Sequence, residues 1–267
     1  MRDPMSRVII KLGGGMITDK SQYKHLKVEC IEAVVTVIKD IIDSGHSVIV
    51  IHGAGSFGHI ESRKWGLADG CNPDIEAEQD EAVTKVRSDM LELNRHVISA
   101  FETQGIDAES LPPRNWAKGV GISFRGDLTA FVRGPSDAIP ITFGDVVDIP
   151  GELKFGILSG DHIMVRMGIE LPDVTACLFL LGDADGLMDG PPWEPGATLI
   201  EQWTATDAIH GSHDSDTDVT GGILLKAECA SMIASSVEQV WLLNGHKPKR
   251  MLEVVLEGDA VGTKILN

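Results

Sequence analysis

The stretch HGAGSFGH, residues 52–59, decides how this chain is read. It follows the apolar run Val48-Ile49-Val50-Ile51, and its Gly53, Gly55 and Gly58 spell G-x-G-x-x-G. That spacing is the dinucleotide-binding fingerprint, in which glycines let the backbone approach a pyrophosphate at a helix N-terminus. Its surroundings argue against that reading. The fingerprint opens the first βαβ unit, leads into a helix of about ten or more residues, and is followed about 20 residues on by a ribose-binding acid at a strand end. Here residues 59–65 reach Gly66 almost at once, and residues 75–80 read as the entrance to a helix. A P-loop is excluded too, because no G-x-x-x-x-G-K-[ST] occurs. The nearest approach, starting at Gly15, has Lys20 where the second glycine belongs.

Two glycine turns remain, each after an apolar run: Lys11-Leu12-Gly13-Gly14-Gly15 and Gly53-Ala54-Gly55. Glycine turns bring backbone N–H groups close to phosphate oxygens. Two of them at neighbouring strand ends suit two phosphates facing one another. For either turn alone, a plain tight turn is the better explanation. The lysines change the weighing. Lys11 is embedded in a strand otherwise made of Val8, Ile9, Ile10 and Leu12. A charge there is costly unless it points into a site at the strand's carboxyl end. Lys20 alone reads as a surface lysine. Lys226 follows a third loop, Thr217-Asp218-Val219-Thr220-Gly221-Gly222, at a helix N-terminus. Three loops, each with a lysine or histidine, form a phosphate clamp.

Around these turns, short β-branched runs alternate with longer amphipathic segments. Helical spacing runs through Val28, Ile31, Val34, Val35, Ile38, Ile41 and Ile42, and again through Val83, Val86, Met90, Leu93, Val97 and Phe101. Residues 139–143, 177–181 and 240–243 read as buried strands, and 224–233 as a helix. The alternation predicts an α/β fold with a largely parallel central sheet sandwiched by helices. Residues 146–157 break the pattern: Pro150-Gly151 between β-prone arms predicts a hairpin. Residues 188–196, MDGPPWEPG, read as a loop. The chain is expected to be one domain whose two halves, 1–171 and 172–267, share one sheet.

The 267 residues carry a net charge of -17, which argues against a nucleic-acid partner, since phosphate backbones reward basic surfaces. No apolar run approaches a membrane span. The four cysteines, Cys30, Cys71, Cys177 and Cys229, form no C-x-x-C pair, and a cytoplasmic setting is expected. Asp214, Asp216 and Asp218 imitate the start of a calcium loop, but Val219 and Leu225 stand where that loop needs Gly and Glu. No metal site is read from the sequence.

The chain resembles the amino acid kinase superfamily and, within it, the isopentenyl phosphate kinases. The resemblance spans nearly the whole chain. It rests on Lys11-Leu12-Gly13-Gly14 with Ile17-Thr18-Asp19-Lys20, on the 52–59 motif ending in His59, on Gly144-Asp145-Val146, on Ser159-Gly160-Asp161, on Asp183-Ala184-Asp185-Gly186, on residues 217–222 with Lys226, and on Gly262-Thr263. Gly15 departs from the serine usual in that family, Gly182 and Ala184 depart from its T-D-V-D-G, and no adenine contacts carry over to residues 188–196.

The resemblance implies transfer of the γ-phosphoryl of ATP to a small phosphate monoester, with Mg²⁺ carried mainly by the phosphates. It implies that Lys11, Lys20, His59, Asp161 and Lys226 are catalytic. On the ATP side it places Lys11, Gly13, Gly14, Gly15, Gly55, Asp183, Gly221, Gly222 and Lys226. On the acceptor side it places Ala54, Gly55, His59 and Gly160, with Val83, Val86 and Ile157 around the apolar tail. It assigns residues 1–171 to the acceptor and 172–267 to the nucleotide, and implies a homodimer. The competing readings are a kinase for another phosphate or phosphonate, such as a fosfomycin-type compound, and a catalytically silent nucleotide-binding regulator.

Overall fold

The structure is a computed structural model that describes residues 6–182, 184–207 and 222–267. Eight strands form one sheet in the spatial order Gln202–Trp203, Thr263–Ile265, Gln239–Asn244, Val174–Leu181, Arg7–Leu12, Ser47–His52, Ile139–Phe143 and Ala108–Ser110. Thr263–Ile265 runs antiparallel to Gln239–Asn244, and the other neighbours pair in parallel. The largely parallel α/β sheet expected from the alternation is what forms, and it is continuous from one half of the chain to the other.

Strand side chains point alternately to opposite faces, so a strand covered on both sides is apolar at every position. Val8, Ile9, Ile10 and Leu12 of Arg7–Leu12 follow this rule. Val8, Ile10 and Leu12 enter one core with Val48, Val50, Leu178 and Leu243, whereas Ile9 enters the other with Ile49, Ile51, Phe179 and Leu242. The first core is closed by the helices Val28–Asp43, Glu76–Thr103 and Lys249–Glu257, through residues such as Ile38, Met90 and Val254. The second is closed by Gly160–Glu170 and Gly222–Ala234. Lys11 alternates onto the Ile9 side, at the carboxyl end of its strand.

Arg7–Leu12 lies between Ser47–His52 and Val174–Leu181, and the chain leaves it in one direction before returning to its other side. Sheets of this type hold ligands outside the carboxyl ends of the strands at such a reversal. Both glycine turns follow strands at that point. The hairpin expected around Pro150-Gly151 is present: Asp145–Asp148 pairs antiparallel with Phe155–Leu158. One sequence expectation is corrected. Residues 55–64 form a ten-residue helix, Gly55–Lys64, which starts inside the glycine motif and not beyond it. Helix length therefore does not separate the motif from a dinucleotide fingerprint. What separates it is its place on the second strand of the sheet and the helix, not a strand, that fills residues 76–103.

Candidate active site

The two glycine turns touch. Leu12 and His52 are paired in register, so the turns leave the sheet side by side. A Cβ on Gly14 would lie 2.4 Å from the Gly55 nitrogen, and one on Gly53 would lie 2.7 Å from the Gly14 nitrogen. Only glycine fits either position. Thr18, fully buried, joins the turns: its Oγ1 donates to the Gly14 carbonyl at 2.8 Å and accepts from the Ser56 N–H at 2.9 Å. Gly55 adopts φ +49°, and a Cβ there would come within 2.0 Å of Thr18 Oγ1. A side chain at Gly55 would push the turns apart.

A cleft opens beside this junction. Lys11, Lys20, His59 and Lys226 line it, together with Gly14, Ala54 and Gly160. Lys11 is buried, and its Nζ lies 2.5 Å from Asp161 Oδ1. Lys226 reaches the other carboxylate oxygen of Asp161 at 3.8 Å and donates to the Gly222 carbonyl at 3.1 Å. One carboxylate thus ties a lysine from the first strand to a lysine from the helix Gly222–Ala234. Asp161 sits in the first turn of Gly160–Glu170, where Ser159 Oγ accepts from its backbone N–H at 3.2 Å. A Cβ on Gly160 would meet Lys11 Cε at 3.2 Å, so this glycine leaves room for the lysine stem. Similarly, a Cβ on Gly15 would sit 2.7 Å from Lys20 Cε.

The cleft also has apolar lining: Val86 and Met90 from the long helix, and Val146, Ile157 and Leu158 of the hairpin. Val83, one turn before Val86, does not line the cleft and packs in the first core instead. Gly13, Gly15 and Gly222 flank the cleft's loops without lining it, and Gly55 lines a neighbouring cleft with Lys20 and His59. Asp183 and Gly221 lie outside the described residues, as does most of the 217–222 loop.

Two buried polar groups at the site carry no role in the sequence reading. His52, whose ring stacks on Phe143 at 5.0 Å, places Nδ1 3.1 Å from the Gly53 carbonyl and Nε2 3.1 Å from the Asn94 side chain. Burial pushes its pKa down to about 4, so the ring is neutral and fixes the glycine turn by hydrogen bonding alone. Asp145 lines the cleft, bonds Arg114 Nη1 at 3.0 Å and accepts from the Val146 N–H at 2.9 Å. Burial raises its pKa to about 7, against the pull of Arg114. Both residues stand in quoted motifs, but their partners are distant in sequence.

The Amino acid kinase family model matches residues 6–244. The isopentenyl phosphate kinase of Thermoplasma acidophilum is 35% identical over 262 residues, covering 97% of this chain and 99% of that protein. That of Methanothermobacter thermautotrophicus is 27% identical, covering 97% and 98%. A crystal structure of the isopentenyl phosphate kinase substrate complex superposes with a TM-score of 0.79 at 32% identity, covering 98% of this chain and 100% of that one. The chain belongs to the amino acid kinase family.

Proposed function

We propose that this chain is an isopentenyl phosphate kinase, which transfers the γ-phosphoryl group of ATP to isopentenyl phosphate and releases isopentenyl diphosphate and ADP. The observation that carries the reading is one cleft with two kinds of lining. Paired glycine turns with Lys11, Lys20, His59 and Lys226 line it, and so do the apolar side chains Val86, Met90, Val146 and Ile157. That layout matches a phosphate ester with a small branched hydrocarbon tail. The relatives named isopentenyl phosphate kinase cover nearly the whole chain and support the same reading.

The chemistry follows from charge. The second pKa of a phosphate monoester is about 6, so the acceptor is mostly a dianion at neutral pH and needs no general base. The obstacle is repulsion between two polyanions. One pair of unit charges 4 Å apart opposes approach by about 4 kcal/mol at an effective dielectric of 20, and several pairs meet here. Neutralisation and alignment therefore do most of the work. In this reading Lys11 and Lys226 bridge the ATP phosphates, and Lys20 reaches the transferring group. His59 donates to the acceptor phosphate, with Ala54, Gly55 and Gly160 as backbone donors. Asp161 keeps Lys11 and Lys226 at a fixed separation. Gly13, Gly14, Gly15, Gly222 and, outside the described residues, Asp183 and Gly221 belong to the nucleotide side.

Mg²⁺ arrives with ATP, held by phosphate oxygens and water. Among the described residues no group of three or more His, Cys, Asp or Glu side chains is placed to cage it. Residues 1–171 form the acceptor half and 172–267 the nucleotide half. The assembly is a homodimer and the setting cytoplasmic; no described helix is long and apolar enough to cross a membrane.

ADP release measured across isopentenyl phosphate, dimethylallyl phosphate, fosfomycin, UMP and N-acetylglutamate tests the reading. Isopentenyl phosphate is expected to give the highest kcat/KM. Faster turnover of UMP, fosfomycin or N-acetylglutamate would overturn it.

A further inference from the structure

Lys20 does not stand on a core element. It begins the turn of a small hairpin in which Thr18–Asp19 pairs with His25–Leu26. Most of residues 19–25 are exposed or half-exposed, so hydrophobic burial does little to hold the turn. Polar anchors on two sides help to hold it. On the near side, buried Thr18 is bonded to both glycine turns. On the far side, Tyr23 and Lys24 reach Asp89 of the long helix. Lys24 Nζ lies 2.6 Å from Asp89 Oδ1 and 2.7 Å from Glu92, and the Tyr23 hydroxyl donates to Asp89 Oδ2. Lys85 joins the same carboxylate at 3.2 Å and donates to the Tyr23 oxygen. It also approaches Glu61, two residues beyond His59, at 3.8 Å.

Asp89 is 4% exposed, and a buried carboxylate needs such partners to remain charged. Burial works to raise its pKa, but the bonds from Lys24, Tyr23 and Lys85 outweigh it and leave the carboxyl below its ordinary range. Asp89 also directly precedes Met90, on the helix that forms the apolar wall of the cleft. Asp89 therefore fastens the Lys20 hairpin to the helix of the tail pocket, and Lys85 carries the cluster on to Glu61 in the helix of His59.

We propose that Asp89, through Tyr23 and Lys24, is a positioning residue that sets where Lys20 stands in the cleft. The inference rests on the kinase reading above and on a role for Lys20 in it. Asp89 touches no substrate; it acts on the turn that presents the lysine. Misplacing a charged group by about 1 Å lowers a rate on the order of a hundredfold. Loosening the clamp therefore reduces kcat while the KM values for ATP and acceptor stay close to those of the wild type.

The test is a double-mutant cycle of Asp89→Asn with Lys20→Met, run on whichever acceptor the wild type turns over fastest. A wrong substrate assignment then shows in the acceptor panel and leaves the cycle intact. Asp89→Asn is expected to lower kcat on the order of ten- to a hundredfold, and to have no further effect on kcat once Lys20 is Met. Any loss of melting temperature should be the same in both backgrounds. Tyr23→Phe, at an exposed side chain, gives a milder loss with the same dependence on Lys20 and serves where Asp89→Asn folds poorly. An equal kcat loss in both backgrounds makes the cluster merely structural and overturns the proposal. So does wild-type kcat in folded Asp89→Asn, or in Lys20→Met.

Discussion

Val83 and Val86 offer a direct test of the pocket, because they share one helix face and differ in what they touch. Both pack in the first core, but Val86 also lines the cleft and Val83 does not. Alanine at either position removes two methyl groups, worth about 0.8 kcal/mol each in transfer from water, or about 1.6 kcal/mol together. At Val86 the space released joins the cleft. Met90, the next wall residue, is an adaptable thioether that can yield to a longer tail. Geranyl phosphate should then gain on isopentenyl phosphate by about 1–3 kcal/mol in relative kcat/KM, roughly 5- to 150-fold. At Val83 the same deletion leaves a hole in the core, and a cavity term adds to the transfer term. That variant should lose stability and keep its preference. The assay is kcat/KM for both acceptors, with urea unfolding of each protein alongside. The reasoning fails if folded Val86→Ala keeps the wild-type ratio, or if Val83→Ala raises it equally.

Asp161→Ala strands buried Lys11 without its 2.5 Å partner, a loss of about 3–5 kcal/mol for a broken buried pair. Denaturant unfolding without nucleotide should show it together with a collapse of kcat, and an unchanged midpoint would refute the tie. His59→Ala should lower activity sharply while His59→Gln keeps more of it, since an ionised acceptor needs a hydrogen bond and not a proton acceptor. Equal inactivity of the two, with the lost rate tracking a group near the histidine pKa, would point to acid–base chemistry. The pH profile of stability carries two opposed signatures. His52, lowered to about 4 from 6.5, takes up a proton more readily when unfolded, so its share of stability is lost as pH falls from about 6.5 towards 4. Asp145, raised to about 7 from 3.8, binds its proton more readily when folded, so its share is lost as pH rises from about 4 to 7. Melting temperature against pH should therefore fall more steeply on the acid side in Asp145→Asn than in the wild type. An unchanged acid limb would refute the assignment.

Much of the fold was legible because a sheet covered on both faces writes itself as unbroken apolar runs. Residues 8–12 and 48–51 could hardly be anything else, and Lys11 stood out against them. The hairpin at Pro150-Gly151 was legible from turn chemistry. The helix Gly55–Lys64 was not, because glycines at its start hide its onset. It begins there because the neighbouring turn leaves room for nothing larger. His52, Asp145 and Asp89 escaped notice for another reason: their partners Asn94, Arg114 and Tyr23 lie 42, 31 and 66 residues away. Periodicity placed Val83 and Val86 on one face but could not show where the core stops and the cleft starts.

The contact between the glycine turns has a consequence for precision. The loops that hold the two phosphates in the proposed reaction leave adjacent strands, Arg7–Leu12 and Ser47–His52, which are paired along their length. Neighbouring strands stand about 4.8 Å apart, and backbone hydrogen bonds hold that interval. A phosphoryl group must approach its acceptor oxygen to about 3–3.5 Å before it transfers. The sheet thus holds the two turns at a fixed interval, short enough for groups bound on either side to meet. Where Gly14 meets Gly53 and Gly55, the gauge is backbone against backbone, and it has no rotamer to slip.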